Sequence, residues 1–198
     1  MPFEVTPVTL EGAVARVEPL RPEHAADLYA AGQDSAIWRF MPTNPSDSLA
    51  SISAWIAGAL KERAAGVQLP FAVLDQTTGK AIGSTRYLNI APHDRGIEIG
   101  WTWLAPAAQR TAVNTECKYL LLRHAFERLR AIRVQLKTDA RNITSQRAIE
   151  RLGAVREGVL RKHMIVQGGY QRDTVMYSIL DDEWPEVRAR LEVYLRRA

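Results

Sequence analysis

The seven residues from Gln109 to Thr115, "QRTAVNT", end a strand-like stretch and open a helical one, and their chemistry suits a phosphate. The first amides of a helix lack partners within it and sit at the positive end of its dipole. The backbone from Thr111 to Thr115 can therefore wrap a pyrophosphate, with Arg110 and Lys118 close enough in sequence to add charge. An ordinary helix start, capped by Asn114 or Thr115, is the competing reading. Neither GxxxxGK(S/T) nor GxGxxG occurs, so the usual phosphate-loop patterns are excluded. Other side chains could move protons. In "IEIGWTW" the alternation places Ile97, Ile99, Trp101 and Trp103 on one face and Glu98, Gly100 and Thr102 on the other. Glu98 thus projects beside a glycine gap, either as a general base or as the cross-strand partner of an arginine such as Arg86. Asn142 and Ser145, in "RNITS", suit a helix N-terminus, and His163 is either structural or a base titrating near neutral pH.

These residues need elements to hold them. Met41 to Ser48, "MPTNPSDS", reads as a loop with Ser46 or Asp47 as N-cap, and the helix after it aligns Leu49, Ile52, Ile56, Ala59 and Leu60 on one face. From Phe71 the period falls to two. "FAVLD", "AIGSTRYLNI" and "IEIGWTWL", separated by turn residues, predict an antiparallel meander. A helix from Thr115 to about Arg130 follows, with Leu122, Ala125, Phe126 and Leu129 on one face, and with Glu116 early and Arg128 and Arg130 late to suit the dipole. "IRVQLKT" alternates Ile132, Val134 and Leu136 with polar residues. The strand, helix, strand order makes a crossover, so this strand runs parallel to its predecessor. A short helix "SQRAIERL" stops at Gly153, and two strands pair around "VQGGY". A last helix is capped by Asp181, holds Pro185 in its first turn and buries Val187, Leu191, Tyr194 and Leu195. The expected class is α+β, a mixed sheet with helices on its faces, in one domain over residues 1–198.

At 198 residues, 46% hydrophobic and 24% charged, the chain can bury one substantial core. No apolar run approaches the roughly 18 to 20 residues of a membrane span, and the N-terminus lacks the order of a secretion signal, so a cytoplasmic protein is expected. The single cysteine, Cys117, excludes an internal disulfide and a cysteine-built zinc site and is expected in the core. A net charge of +4 suits an anionic ligand as well as a solvated surface. It falls short of a nucleic-acid signature, since no zinc-finger spacing or run of interleaved aromatics and basics accompanies it.

The order "EIGWTWLAP", "QRTAVNT", amphipathic helix, strand, "RNITSQRAIERLGAVREGVLR" and "GGYQRDTVMYSIL" resembles the GNAT superfamily of acyl-CoA-dependent N-acyltransferases. Within it, the chain is similar to the RimJ/RimL branch, the ribosomal-protein-alanine N-acetyltransferase-like proteins. The likeness runs from "VARVEPLRPEH" to "SILDDEWP". It implies a mostly antiparallel sheet of about seven strands, splayed between the fourth and fifth. It also implies transfer of acetyl from acetyl-CoA to a primary amine, a protein N-terminus or a small molecule, by direct attack in a ternary complex without metal. A homodimer is plausible, and neither membrane nor DNA is expected as a partner.

The family's pyrophosphate loop, (Q/R)xxGx(G/A), falls on Gln109 to Asn114. Gln109 and Arg110 match, whereas Ala112 and Asn114 replace the glycines. Asn enters the left-handed region at modest cost, so Asn114 is expected to take a positive φ and the amides of Thr111, Ala112, Val113, Asn114 and Thr115 to remain available. The resemblance also implies that amides near Trp103 and Leu104 hold the acyl and pantetheine groups, that Asn142 binds pantetheine, and that Ser145 reaches the coenzyme sulfur as an acid or as a contact to it. The tyrosine that many relatives use as acid is replaced by Ile149. A base is sought in Glu98 or in His163, which lies within a residue or so of the position where the branch places a catalytic carboxylate; that carboxylate is absent here, with Met164 at the aligned position, and Asp173 is read as fixing the last hairpin. Trp38 to Pro42 and the turn after His93 are expected around the acceptor. Alternatives are succinyl-CoA or another acyl donor met by Arg39, Arg86 or Arg161, a non-catalytic CoA sensor, and an RNA-associated protein using the arginines of residues 123 to 162.

Overall fold

The computed structural model describes residues 3–197. Its strands are β1 (Leu10–Glu11), β2 (Ala15–Pro19), β3 (Leu69–Asp75), β4 (Ala81–Ala91), β5 (Gly96–Leu104), β6 (Arg133–Asp139), β7 (Val155–Val166) and β8 (Tyr170–Leu180). The helices are α1 (Ala25–Ala31), α2 (Leu49–Ala64), α3 (Ala112–Arg123), α4 (Ile143–Leu152) and α5 (Trp184–Leu195). The strands form one sheet in the order β1-β2-β3-β4-β5-β6-β8-β7, antiparallel except for β5 against β6. This is the expected α+β class. It has eight strands rather than about seven because the two-residue β1 pairs with β2, Leu10 opposite Val17.

The parallel β5–β6 pairing covers only Gly96 to Glu98, opposite Arg133 to Gln135. Beyond Glu98 the strands diverge, which is the expected splay, now between the fifth and sixth strands. Each face of the sheet has its own core. Phe71, Tyr87, Ile99, Cys117, Leu121 and Val134 belong to the core packed with α3, and Leu20, Leu28, Trp38, Ile52, Ile56 and Trp103 to the one with α2. Removing a fully buried leucine such as Leu121 would cost about 2–5 kcal/mol. Cys117 is buried as expected, and burial pushes its thiol up to about 11.

Several expectations move. Ser48, rather than Ser46 or Asp47, caps α2, its side chain accepting from Ser51 N, and Leu49 faces solvent. The third helix starts at Ala112, three residues before Thr115, because the Thr111 hydroxyl accepts from Val113 N; a π-helical turn, His124–Arg128, ends it. Glu183 rather than Asp181 holds the N-cap of α5, with Pro185 in the first turn, and Tyr194 is exposed. Ile132 precedes β6 and is exposed.

The largest departure lies in β5. Trp101 takes φ 51, and the register with β4 slips between Ser84 and Arg86. One residue is gained on β5, and the faces swap beyond it. Trp103 therefore joins the core opposite that of Ile97 and Ile99, and Thr102 reaches Thr85 and Lys118 instead of following Glu98 and Gly100.

Candidate functional site

The divergence of β5 from β6 opens a cavity of about 820 Å³, walled by β5, β6, α3, α4 and the loop after Ala36. At one end lies the start of α3. Arg110 takes φ 62 and turns the chain into the helix, so the left-handed residue is Arg110; Asn114 sits inside α3 and is absent from the positive-φ positions. The expectation of a left-handed Asn114 fails because the helix begins two residues ahead of it. With Ala112 as the first helical residue, the free amides are those of Thr111 to Asn114, and Thr115 already bonds within the helix. Val113 N is met by the Thr111 hydroxyl.

Gln109, Arg110, Thr111 and Asn114 line the cavity, whereas Ala112 and Val113 face a second recess of about 380 Å³. Thr115 is buried beneath Arg151, which donates to its hydroxyl. Arg147 and Arg151, one turn apart on α4, and Lys118, one turn after Asn114, bring three more cations to this wall. Lys118 donates to the Thr102 hydroxyl, and burial lowers its ammonium to about 8. An exposed helix start ringed by Arg110, Lys118, Arg147 and Arg151 is built for a polyanion.

Asn142 and Ser145 line the middle of the cavity with Trp103 and Leu104. Asn142 caps α4, its Oδ1 accepting from Ser145 N at 3.1 Å, which leaves the Asn142 amide hydrogens and the Ser145 hydroxyl for the cavity. Ile149, buried where a tyrosine would offer a hydroxyl, contributes an apolar wall.

At the far end Glu98, 1% exposed, sits at the last paired position before the splay. Asn89 (2.8 Å), Gln135 (2.9 Å) and Lys137 (3.2 Å) all donate to its Oε2. Its Oε1 has no hydrogen-bond partner among the described residues and points past Gly100, where a Cβ would come within 2.9 Å of it. Arg86 is not its partner. That guanidinium is stacked between Trp55 (4.6 Å) and Trp101 (4.5 Å), donates to Gln68, and is lowered by burial to about 10. The period-two reading found Glu98 but missed Asn89, Gln135 and Lys137, which come from two other stretches of chain.

His163 is exposed on β7 and does not line the cavity; burial, Lys137 and Arg172 hold its pKa below the ordinary value while Glu98 raises it. Its neighbour Met164 does line the cavity. Asp173 accepts from Lys162 N at 2.7 Å and so fixes the β7–β8 hairpin, as expected. Ala36, Ile37, Phe40, Met41 and Pro42 close the end beyond Glu98, and Gln167 of the hairpin tip ties down the carbonyls of Trp38 and Met41. The turn after His93 is absent from the lining, and the His93 ring is fully in solvent. Arg39, Arg86 and Arg161 do not line the cavity either; the cations at this end are Lys137 and Arg172, which the sequence reading did not single out.

Among the described residues no group of His, Cys, Asp and Glu could hold a metal ion, and no helix is long and apolar enough to cross a membrane. Residues 15–155 match the family described as "Acetyltransferase (GNAT) domain". An acetyltransferase assigned in T. thermophilus is similar at 40% identity, with a TM-score of 0.88 over 97% of this chain and 99% of that one. RimJ of Mycobacterium smegmatis, solved in complex with CoA-disulfide, shares the fold at 22% identity, with a TM-score of 0.80 over 96% of this chain and 93% of that one. The Bacillus subtilis (strain 168) protein YdaF, assigned as a ribosomal N-acetyltransferase, is 32% identical over 54% of this chain and 57% of its own length. The chain spans about half the length of the curated relatives it matches.

Proposed function

The chain belongs to the GNAT acetyltransferase family, and on that premise we propose that it is an acyl-CoA-dependent N-acyltransferase moving acetyl from acetyl-CoA to a primary amine. One observation carries the reading: a single cavity joins a cation-ringed helix start to a buried carboxylate with one unoccupied oxygen. The coenzyme would supply the activated thioester. Its phosphates would be held by amides at the start of α3 and by Arg110, Arg147 and Arg151, and its pantetheine arm by the β5 edge near Trp103 and Leu104 with the Asn142 amide. A CoA derivative bound in the M. smegmatis protein of the same fold supports coenzyme A as the kind of ligand.

The chain's own residues then divide the proton work. Glu98 Oε1 takes a proton from the amine, directly or through a water, while its Oε2 is held in place by Asn89, Gln135 and Lys137. The Ser145 hydroxyl hydrogen-bonds the departing thiolate, which takes its proton from solvent as Glu98 returns the amine's proton to it. His163, outside the cavity, takes no part. A protein α-amine, with pKa near 8, has a sizeable neutral fraction at pH 7, whereas a lysine near 10.4 has almost none, so an α-amine asks less of Glu98.

Thermal melting with acetyl-CoA, followed by thiol release across a panel of amines, tests the reading. Stabilisation by the coenzyme and amine-dependent release are expected. No stabilisation at millimolar acetyl-CoA would refute it, and stabilisation without release would leave a CoA-binding sensor.

A further inference from the structure

Near the acceptor end of the cavity β6, the turn after it and β8 carry three cations, β5 and β6 carry two carboxylates, and of the cations Lys137 and Arg172 line it. Lys137 is paired with Glu98 at 3.2 Å and Arg141 with Asp139 at 2.7 Å. The third cation, Arg172 on β8, has no carboxylate at salt-bridge distance among the described residues. It is 5% exposed, lines the cavity, and makes one hydrogen bond, Nε to the Thr174 hydroxyl at 3.1 Å. Its four Nη–H donors remain unused by the described residues. Burial lowers its pKa and Arg141 adds to this, while Asp139 and Glu98 oppose it from a distance. Neither Nη nitrogen is among the buried atoms left without a partner, so the fork opens onto the cavity and something that enters it can complete the pairing.

The planar, permanently charged fork narrows what that something is, since its geometry matches a carboxylate in a bidentate pair. Met164, the cross-strand neighbour of Arg172, lines the same end of the cavity, and the hairpin carrying both residues is anchored on the carbonyls of Trp38 and Met41. Ile37, Phe40, Met41 and Met164 thus give this end an apolar wall beside Glu98 and Arg172.

We propose that Arg172 binds a carboxylate carried by a substrate, and so makes the chain prefer a carboxylate-bearing amine or a carboxylate-bearing acyl group over its neutral counterpart. The inference rests on the acyltransferase reading of the cavity and names the substrate class of that site. A peptide N-terminus presents an amide next to its α-carbon, whereas a free amino acid presents a carboxylate. A succinyl group would bring its carboxylate from the donor side instead.

Isothermal titration of matched pairs separates these cases without requiring turnover. The full chain loaded with coenzyme A is titrated with N-acetylalanine and with N-acetylalaninamide, and the free chain with succinyl-CoA and with butyryl-CoA. Tighter binding of the carboxylate member of one pair, by about 10- to 100-fold, is expected. A preference in the first pair assigns the carboxylate to the acceptor, and one in the second assigns it to the acyl group. Arg172→Gln should erase that preference, and Arg172→Lys, which keeps the charge but loses the fork, should retain part of it, in variants whose melting and coenzyme A affinity match the wild type. Equal binding within both pairs, or a preference that survives Arg172→Gln, would overturn the proposal. Carboxylate-dependent binding with no transfer to any amine would overturn the acyltransferase reading and leave the role of Arg172 standing.

Discussion

Glu116 on α3 and Glu98 on β5 are both buried carboxylates, 6% and 1% exposed, and their hydrogen bonds are distributed in opposite ways. Glu116 accepts from three successive amides of the N-terminal hairpin, Ala13 N on Oε1 (2.8 Å) and Val14 N and Ala15 N on Oε2 (2.7 Å each). Gly12 beside it leaves room for that approach, since a Cβ there would overlap the carboxylate. Glu98 gathers all its donors on one oxygen and has none on the other. A buried polar group with every site filled holds a fold together; one with an oxygen left open has capacity for a substrate or its proton. Burial and residue type alone would not separate the two.

The largest effect that could break this contrast is catalytic. Glu98→Gln should lower kcat of the folded enzyme by about 10²- to 10⁴-fold, because the amide keeps the shape and removes the base, and should also lower the melting temperature, because Lys137 loses its buried counter-charge. An unchanged rate would remove Glu98 from the role and erase its difference from Glu116. Glu116→Gln differs in its effect on rate. Weakening three charge-assisted bonds to buried amides should cost about 3 kcal/mol, a fall of roughly 6–12 °C for a domain of this size, with kcat of the folded enzyme preserved.

A third experiment extends the contrast to a buried cation. The unfolded chain keeps the Lys118 proton up to its ordinary value of 10.5, and the folded chain releases it at about 8. Between these values the unfolded state binds more protons, so stability should rise with pH through this window. Lys118→Met should lack that rise and be more stable at pH 7 by about 1–3 kcal/mol in urea titrations, while binding acetyl-CoA more weakly. The smallest effect concerns the loop. Asn114→Gly should cost about 0.3 kcal/mol, since Asn114 is helical, whereas a left-handed Asn114 would make the substitution neutral or stabilising.

Much of the molecule was legible because its periods are regular. The meander, the parallel crossover, the Gly153 cap at φ 105 and the final hairpin follow from alternation and turn residues. Glu98, Asn142, Ser145, Gln109 and Arg110 were all visible as candidates, and all line one cavity. What alternation could not supply was the change of face at Trp101, since a non-glycine residue at φ 51 leaves no mark in residue type. The start of α3 lies three residues ahead of Thr115 because Thr111 caps it, whereas the family's glycine pattern points to Asn114 as the turn residue. Arg172 was missed for a different reason. Its meaning lies in the pairing of Lys137 with Glu98 and of Arg141 with Asp139, which is known only once β6 and β8 lie side by side.

The most direct test of the central claim is mass spectrometry of amines incubated with the wild-type chain and acetyl-CoA carrying a heavy acetyl group. The account predicts heavy acetyl on the nitrogen of a primary amine, in an amount matching the thiol released. Coenzyme recovered intact, with no labelled amine at millimolar acetyl-CoA, would contradict it.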